Sequence, residues 1–254
     1  MKGPIEAYKG ITWHRTSEFG NRFNMGQTYT TEDGVLLRRA GFHACLNPWH
    51  VLDYYTPYEG RFLKVMLDGQ LDSCDHMVVG SQMTVLRELT DREIIEQLIE
   101  QRDFRLESFD AILSDQPHDC IWGERHGLVV QSTGSDVFIR VHSDTFFGLS
   151  TGDKASILVD PMSMNGLILS YGDDATIECG GSMRVSVYGK RSKVMLAGSN
   201  HLLHLAEGSI LEWRDRTWIA GTDFPSDCYC LTEDNQIISF PDDISPVKDE
   251  IIIQ

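Results

Sequence analysis

The sequence predicts an α+β domain over residues 1–125 followed by an all-β repeat domain, a β-solenoid, over residues 126–254. Three observations carry this reading. One segment near residue 90 has the apolar spacing of a helix and stands among strand-like runs. In the second half glycine recurs at 134, 148, 152, 166, 172, 181, 189, 198 and 208. Between those glycines lie alternating segments too short to bury an apolar face alone, so stacking at a fixed period is the way they form a core.

In the first half, Thr90-Asp91-Arg92-Glu93 opens the helix. Thr90 caps the backbone N–H of Glu93 and the Glu93 carboxylate returns to Thr90, while Ile94, Ile95, Leu98 and Ile99 form the apolar stripe. A second helix is predicted from Pro48 to Tyr55, with Asn47 as N-cap and Pro48 at the first helical position. Strands are predicted at Leu63–Leu67, ended by Asp68-Gly69, and at Met83–Leu86.

In the second half, strands are predicted at Val137–Val141, Ala155–Val159, Leu167–Leu169, Ala175–Cys179, Met183–Val187, Lys193–Leu196 and Ser209–Trp213. The last five glycines are spaced by 9, 8, 9 and 10 residues, so two units make a coil of roughly 18 residues, with glycine at positive-φ corners. A β-sandwich with tight hairpins is the alternative for regularly spaced short strands. The end of the chain from Asp223, with Pro225, Pro241 and Pro246, is read as an irregular cap against edge-to-edge growth.

Composition bounds the function. The 254 residues carry 38 acidic and 22 basic side chains, a net charge of -16. Residues 1–125 hold 13 basic and 20 acidic groups and residues 126–254 hold 9 and 18, so the acidity marks neither half. The densest basic group is Lys190, Arg191 and Lys193, which argues against direct binding to nucleic-acid phosphates. No run is apolar enough to span a bilayer and the N-terminus lacks a secretory signal, so a cytoplasmic location and free thiols are expected. No Walker loop, dinucleotide-type glycine motif, His-Glu-x-x-His or Cys-x-x-Cys pair is present. Cys228-x-Cys230 and His201-Leu-Leu-His204 fall short of a four-ligand zinc site, so no metal is expected.

Tyr8-Lys9-Gly10, then Gly41-Phe42-His43-Ala44-Cys45-Leu46-Asn47-Pro48, then Tyr54-Tyr55 follow one another in the first domain. This order resembles a domain of unknown function common in bacteriophage genomes, often followed by a glycine-punctuated repeat region. More distantly it is similar to the ADP-ribosyltransferase fold. That resemblance implies NAD as cofactor, held by Lys9 and Gly10 at the first motif and by His43 and Tyr54 around the nicotinamide. Stripping nicotinamide from NAD needs a carboxylate near the ribose. The matching position before Met83 holds Ser81-Gln82, so Glu88 and Glu59 are the substitute catalytic candidates.

The same residues also read as packing: His43 as a core histidine, Tyr54 and Tyr55 as cover for a sheet, Lys9-Gly10 as a strand end and turn. The leading expectation is a phage-encoded accessory protein in the host cytoplasm, with an active or degenerate NAD-type domain and a solenoid that binds a host protein or forms homo-oligomers. The alternative is a non-catalytic acidic protein that inhibits a nucleic-acid-binding or defence factor of the host, or a structural virion component.

Overall fold

The computed structural model describes residues 3–12, 20, 22–55, 58, 60–124, 126–161, 163, 165–198, 201–225, 229–231 and 236–239. The chain divides into two compact units, Met1–Leu106 with Pro246–Gln254, and Glu107–Ser245. Among the described residues no helix is long and apolar enough to cross a membrane.

The first unit is mainly β. Strands β1 (Ile5–Thr12), β2 (Thr28–Thr30), β3 (Phe42–Cys45), β4 (Gly60–Ser73) and β5 (Met77–Glu88) form one antiparallel sheet. β1 pairs with β3 and β4, and β5 pairs with both of those, so the four strands close into a ring. Ala7, Ile11, Leu63, Val65, Val78 and Val85 fill its interior, each 4% exposed or less. Closure removes most of the open edge that so small a sheet would otherwise present.

Helix α1 (Asp91–Glu100) forms as its capping box demands, with the Glu93 N–H donating to Thr90 Oγ1 at 3.2 Å and the Thr90 N–H to Glu93 Oε2 at 2.9 Å. The second expected helix is a 3-10 turn, Pro48–Asp53, shorter than the span to Tyr55. Asn47 still caps it, accepting from the His50 N–H at 3.3 Å. Six residues are too few to offset α-helix nucleation, and 3-10 geometry is the usual outcome at that length. The buried Trp49 ties the turn to α1 by donating from Nε1 to the Leu98 carbonyl at 3.0 Å.

The Asp68-Gly69 stop signal is a bulge inside a longer strand. The β4–β5 register shifts between Asp68 and Leu71, and pairing then resumes to Ser73. The α+β expectation is thus corrected towards a closed sheet with one α-helix, because the hairpin β4–β5 runs well past both predicted strand segments.

The second unit is a two-sheet parallel stack. The longer strands β6 (Phe109–Ser114), β8 (Gly127–Ser132), β10 (Thr145–Ser150), β12 (Asn165–Ser170), β14 (Ser182–Val187) and β16 (His201–Leu205) form one sheet. The shorter strands β7 (Cys120–Gly123), β9 (Phe138–Val141), β11 (Ser156–Val159), β13 (Thr176–Cys179), β15 (Lys193–Leu196) and β17 (Ile210–Trp213) form the other. Register partners in the first sheet are 18, 18, 20, 17 and 18 residues apart, the period expected of a solenoid. Ile139, Phe146, Ile157, Ile168, Ile177 and Val185 belong to one continuous core between the sheets.

The stack starts at Phe109, one coil earlier than residue 126. At the far end β18 (Arg216–Ile219), β19 (Tyr229–Leu231) and β20 (Ile237–Ser239) turn antiparallel and close both sheets. The cap therefore begins before Asp223, with the hairpin β17–β18.

The corner glycines act differently from the expectation at four positions. A Cβ on Gly152 would lie 2.0 Å from the Gly134 carbonyl oxygen, one on Gly172 2.0 Å from that of Gly152, and one on Gly189 1.9 Å from that of Gly172. Successive coils touch backbone to backbone there, so glycine is needed for approach. The left-handed positions sit two residues later, at Asp136, Lys154, Asp174 and Arg191, with φ of 58, 58, 59 and 57. Gly181, Gly198 and Gly208 do take positive φ.

Candidate functional site

A cleft of about 590 Å³ opens in the first unit, within the range of small-molecule pockets. β1 contributes Lys9 and Gly10, β3 contributes His43 and Cys45, the segment before β3 contributes Arg38 and Arg39, and Tyr54 and Tyr55 follow the 3-10 turn. Lys9, Gly10, His43 and Tyr54, proposed from separate motifs, therefore line one cavity.

Gly10 is required by an aromatic ring. A Cβ there would lie 2.1 Å from Tyr55 Cδ2, so the absence of a side chain lets the ring lie against β1. Gly41 is needed twice: its φ is +98, and a Cβ would also meet Val79 Cγ2 at 2.7 Å.

His43 holds the loop that carries the arginines. Its Nε2 accepts the Arg38 N–H at 2.8 Å, and its Nδ1 lies 3.1 Å from the Gly41 carbonyl. Those two contacts assign the neutral tautomer with the proton on Nδ1. Desolvation, and then the charge of Lys9, push its pKa below the ordinary histidine value, which agrees with that tautomer. Both ring nitrogens are thus engaged by backbone.

Lys9 Nζ donates to the His43 carbonyl at 2.9 Å and lies 5.4 Å from the Phe23 ring centroid. Desolvation lowers its ammonium to about 8, against a smaller opposing effect of Cys45. Cys45 is 6% exposed, and burial pushes its thiol up to about 12, so it is protonated at neutral pH and a poor nucleophile. Tyr54 is 53% exposed, and its phenol is raised, first by desolvation.

The electrostatics of the cleft run opposite to those of the chain. Its lining holds Lys9, Arg38 and Arg39 and no carboxylate among the described residues, in a protein of net charge -16. Arg38 and Arg39 were missed by the sequence reading. A two-residue basic step inside an acidic chain gives no period or spacing to notice, and only the fold turns it into the cleft.

The catalytic candidates do not join this group. Glu88, at the end of β5, pairs with Arg61 at 2.7 Å, and both side chains are 5% exposed or less. A buried carboxylate needs such a counter-charge, and its place in the pair keeps it out of the lining. Glu59 lies outside the described residues.

In the solenoid, His201 is buried with Nε2 3.0 Å from the Ala197 carbonyl, and burial drives its pKa down to about 4. His204 lies instead against the Tyr188 ring at 5.0 Å. Cys228 is outside the described residues, and among those described no group of three or more His, Cys, Asp or Glu side chains is placed to hold a metal. Cys45, Cys74, Cys120 and Cys179 are free thiols.

Residues 5–97 match the family model described as Domain of unknown function (DUF7666), a stretch that includes every described cleft residue named above. No curated protein and no solved structure matches the chain.

Proposed function

We propose that the first unit binds an NAD-type nucleotide in this cleft as an ADP-ribosyltransferase-like domain degenerate for transfer, and that the solenoid is a binding or oligomerisation platform. The observation that carries the reading is the convergence of Lys9, Gly10, His43 and Tyr54 on one cationic, aromatic cavity. A dinucleotide brings a planar ring and a negatively charged pyrophosphate. Tyr54 and Tyr55 offer faces for the first, and Lys9 with the two arginines offers charge for the second.

Turnover has less support than binding. Cleavage at the ribose develops positive charge that a nearby carboxylate stabilises. Glu88 is held in a buried ion pair, and the described lining has no other carboxylate. The motif order adds the finer reading of a phage-encoded accessory protein that acts on a host factor, the host protein being captured by the solenoid.

Titration calorimetry with NAD tests the site. Lys9→Ala and Tyr54→Ala are each expected to weaken binding about tenfold, the order of one charge-assisted contact or one stacked ring. Binding untouched by both substitutions overturns the proposal. Nicotinamide release that disappears in Glu59→Gln overturns the degenerate assignment and restores an enzyme.

A further inference from the structure

We infer that Arg38 and Arg39 form a phosphate clamp, so that the cleft selects a phosphorylated aromatic small molecule over its neutral counterpart. This rests on reading the cleft as a ligand site, and it is separable from NAD being the ligand.

The clamp is built by the loop Leu36-Leu37-Arg38-Arg39-Ala40. The Leu36 N–H donates to the Ala40 carbonyl at 3.0 Å, while the N–H groups of Arg39 and Ala40 donate back to the Leu36 carbonyl at 3.0 and 2.9 Å. Arg38 sits at the turn with φ of 63, an uncommon conformation for a long side chain. Its N–H bond to His43 Nε2 holds it there, and the neutral tautomer of His43 makes that acceptor available. Backbone geometry thus fixes the turn from which two consecutive, exposed arginines line the cleft.

Neither arginine has a carboxylate partner among the described residues, unlike Arg87, Arg92 and Arg191. Arg87 meets Glu93, Arg92 meets Glu96, and Arg191 meets Asp173 and Asp174. Arg38 and Arg39 are exposed and form no ion pair among the described residues, although the chain carries 38 acidic side chains. Lys9 adds a third cation to the same lining. An anionic ligand would meet all three in one cavity and use the fork geometry of the two arginines. A cavity of about 590 Å³ with aromatic walls suits a nucleotide-sized ligand, whose rings meet Phe42, Tyr54 and Tyr55.

The test is calorimetry on the full chain with ADP, adenosine, inorganic pyrophosphate, NAD and a phosphoserine peptide. Wild type is expected to bind ADP at least about tenfold more tightly than adenosine. The double variant R38Q/R39Q is expected to lose that preference with the unliganded melting temperature unchanged, and R38K/R39K to retain only part of it, since lysine keeps the charge without the fork. Retention of the preference in R38Q/R39Q overturns the clamp. If ADP or pyrophosphate binds through the arginines but NAD does not bind, the clamp stands and the NAD reading falls. If NAD and ADP bind wild type and R38Q/R39Q equally, the clamp falls and the NAD reading stands. Tighter binding of the peptide than of ADP overturns the small-molecule assignment, and silence from every phosphorylated probe overturns both readings.

Discussion

Arg38 of the cleft and Arg191 of the solenoid are both exposed arginines in left-handed backbone, with φ of 63 and 57, and they differ in what faces them. Arg191 reaches back one coil to Asp174, with Nε at 2.7 Å and Nη2 at 2.8 Å, and to Asp173 at 3.2 Å. Arg38 meets no carboxylate among the described residues. In the solenoid a neighbouring coil supplies the counter-charge for Arg191, and likewise for Lys193, which meets Glu212 at 2.9 Å. The closed sheet has no repeating coil to supply one, and Arg38 and Arg39 line its cleft without an ion pair among the described residues.

The same contrast governs what substitutions do. The largest effect is expected at Arg61→Ala, which leaves Glu88 buried without its partner and costs about 3–5 kcal/mol in urea unfolding. Next comes Gly152→Ala. Its Cβ meets the Gly134 backbone at 2.0 Å, which only separation of two coils relieves, for about 2–3 kcal/mol. Gly10→Ala meets the Tyr55 ring, a side chain that can rotate away, so its expected cost is about 1 kcal/mol. There the larger consequence is in the cleft: NAD affinity falls more than stability does. Equal stability losses for the two glycine substitutions would remove the distinction between backbone and ring contact.

A fourth effect appears only as pH falls. The folded pKa of His201 is about 4, below the ordinary value of 6.5. Between those values the unfolded chain takes up a proton that the folded chain refuses. The contribution of His201 to stability is therefore present above about pH 6.5, declines as pH falls towards about 4, and changes no further below that. Unfolding midpoints across that window should show a shallower decline in His201→Gln than in wild type.

Much of the second unit was legible because periodicity is a property of sequence. Coils of roughly 18 residues follow from glycine spacing, and the seven predicted strands all overlap observed ones. The first coil escaped because Gln116 and His118 stand where the four later coils have glycine and a charged left-handed residue. In the first unit the capping box of α1 was legible, being local. Glu88 was not: its partner Arg61 lies on the neighbouring strand β4, where only the pairing of Leu63 with Glu88 brings the two together. The role of Gly69 was misread for the same reason, since a turn and a bulge share the Asp-Gly signal and differ only in what the strand pairs with afterwards.

The central claim, that a nucleotide of the NAD type occupies the cleft of the closed sheet, is tested most directly by the melting temperature of the full chain with and without millimolar NAD. A ligand that binds only the folded form raises that temperature, the more so the further its concentration exceeds Kd. A rise that is smaller in Lys9→Ala and Tyr54→Ala is the predicted result, and an unchanged melting temperature for wild type contradicts the claim.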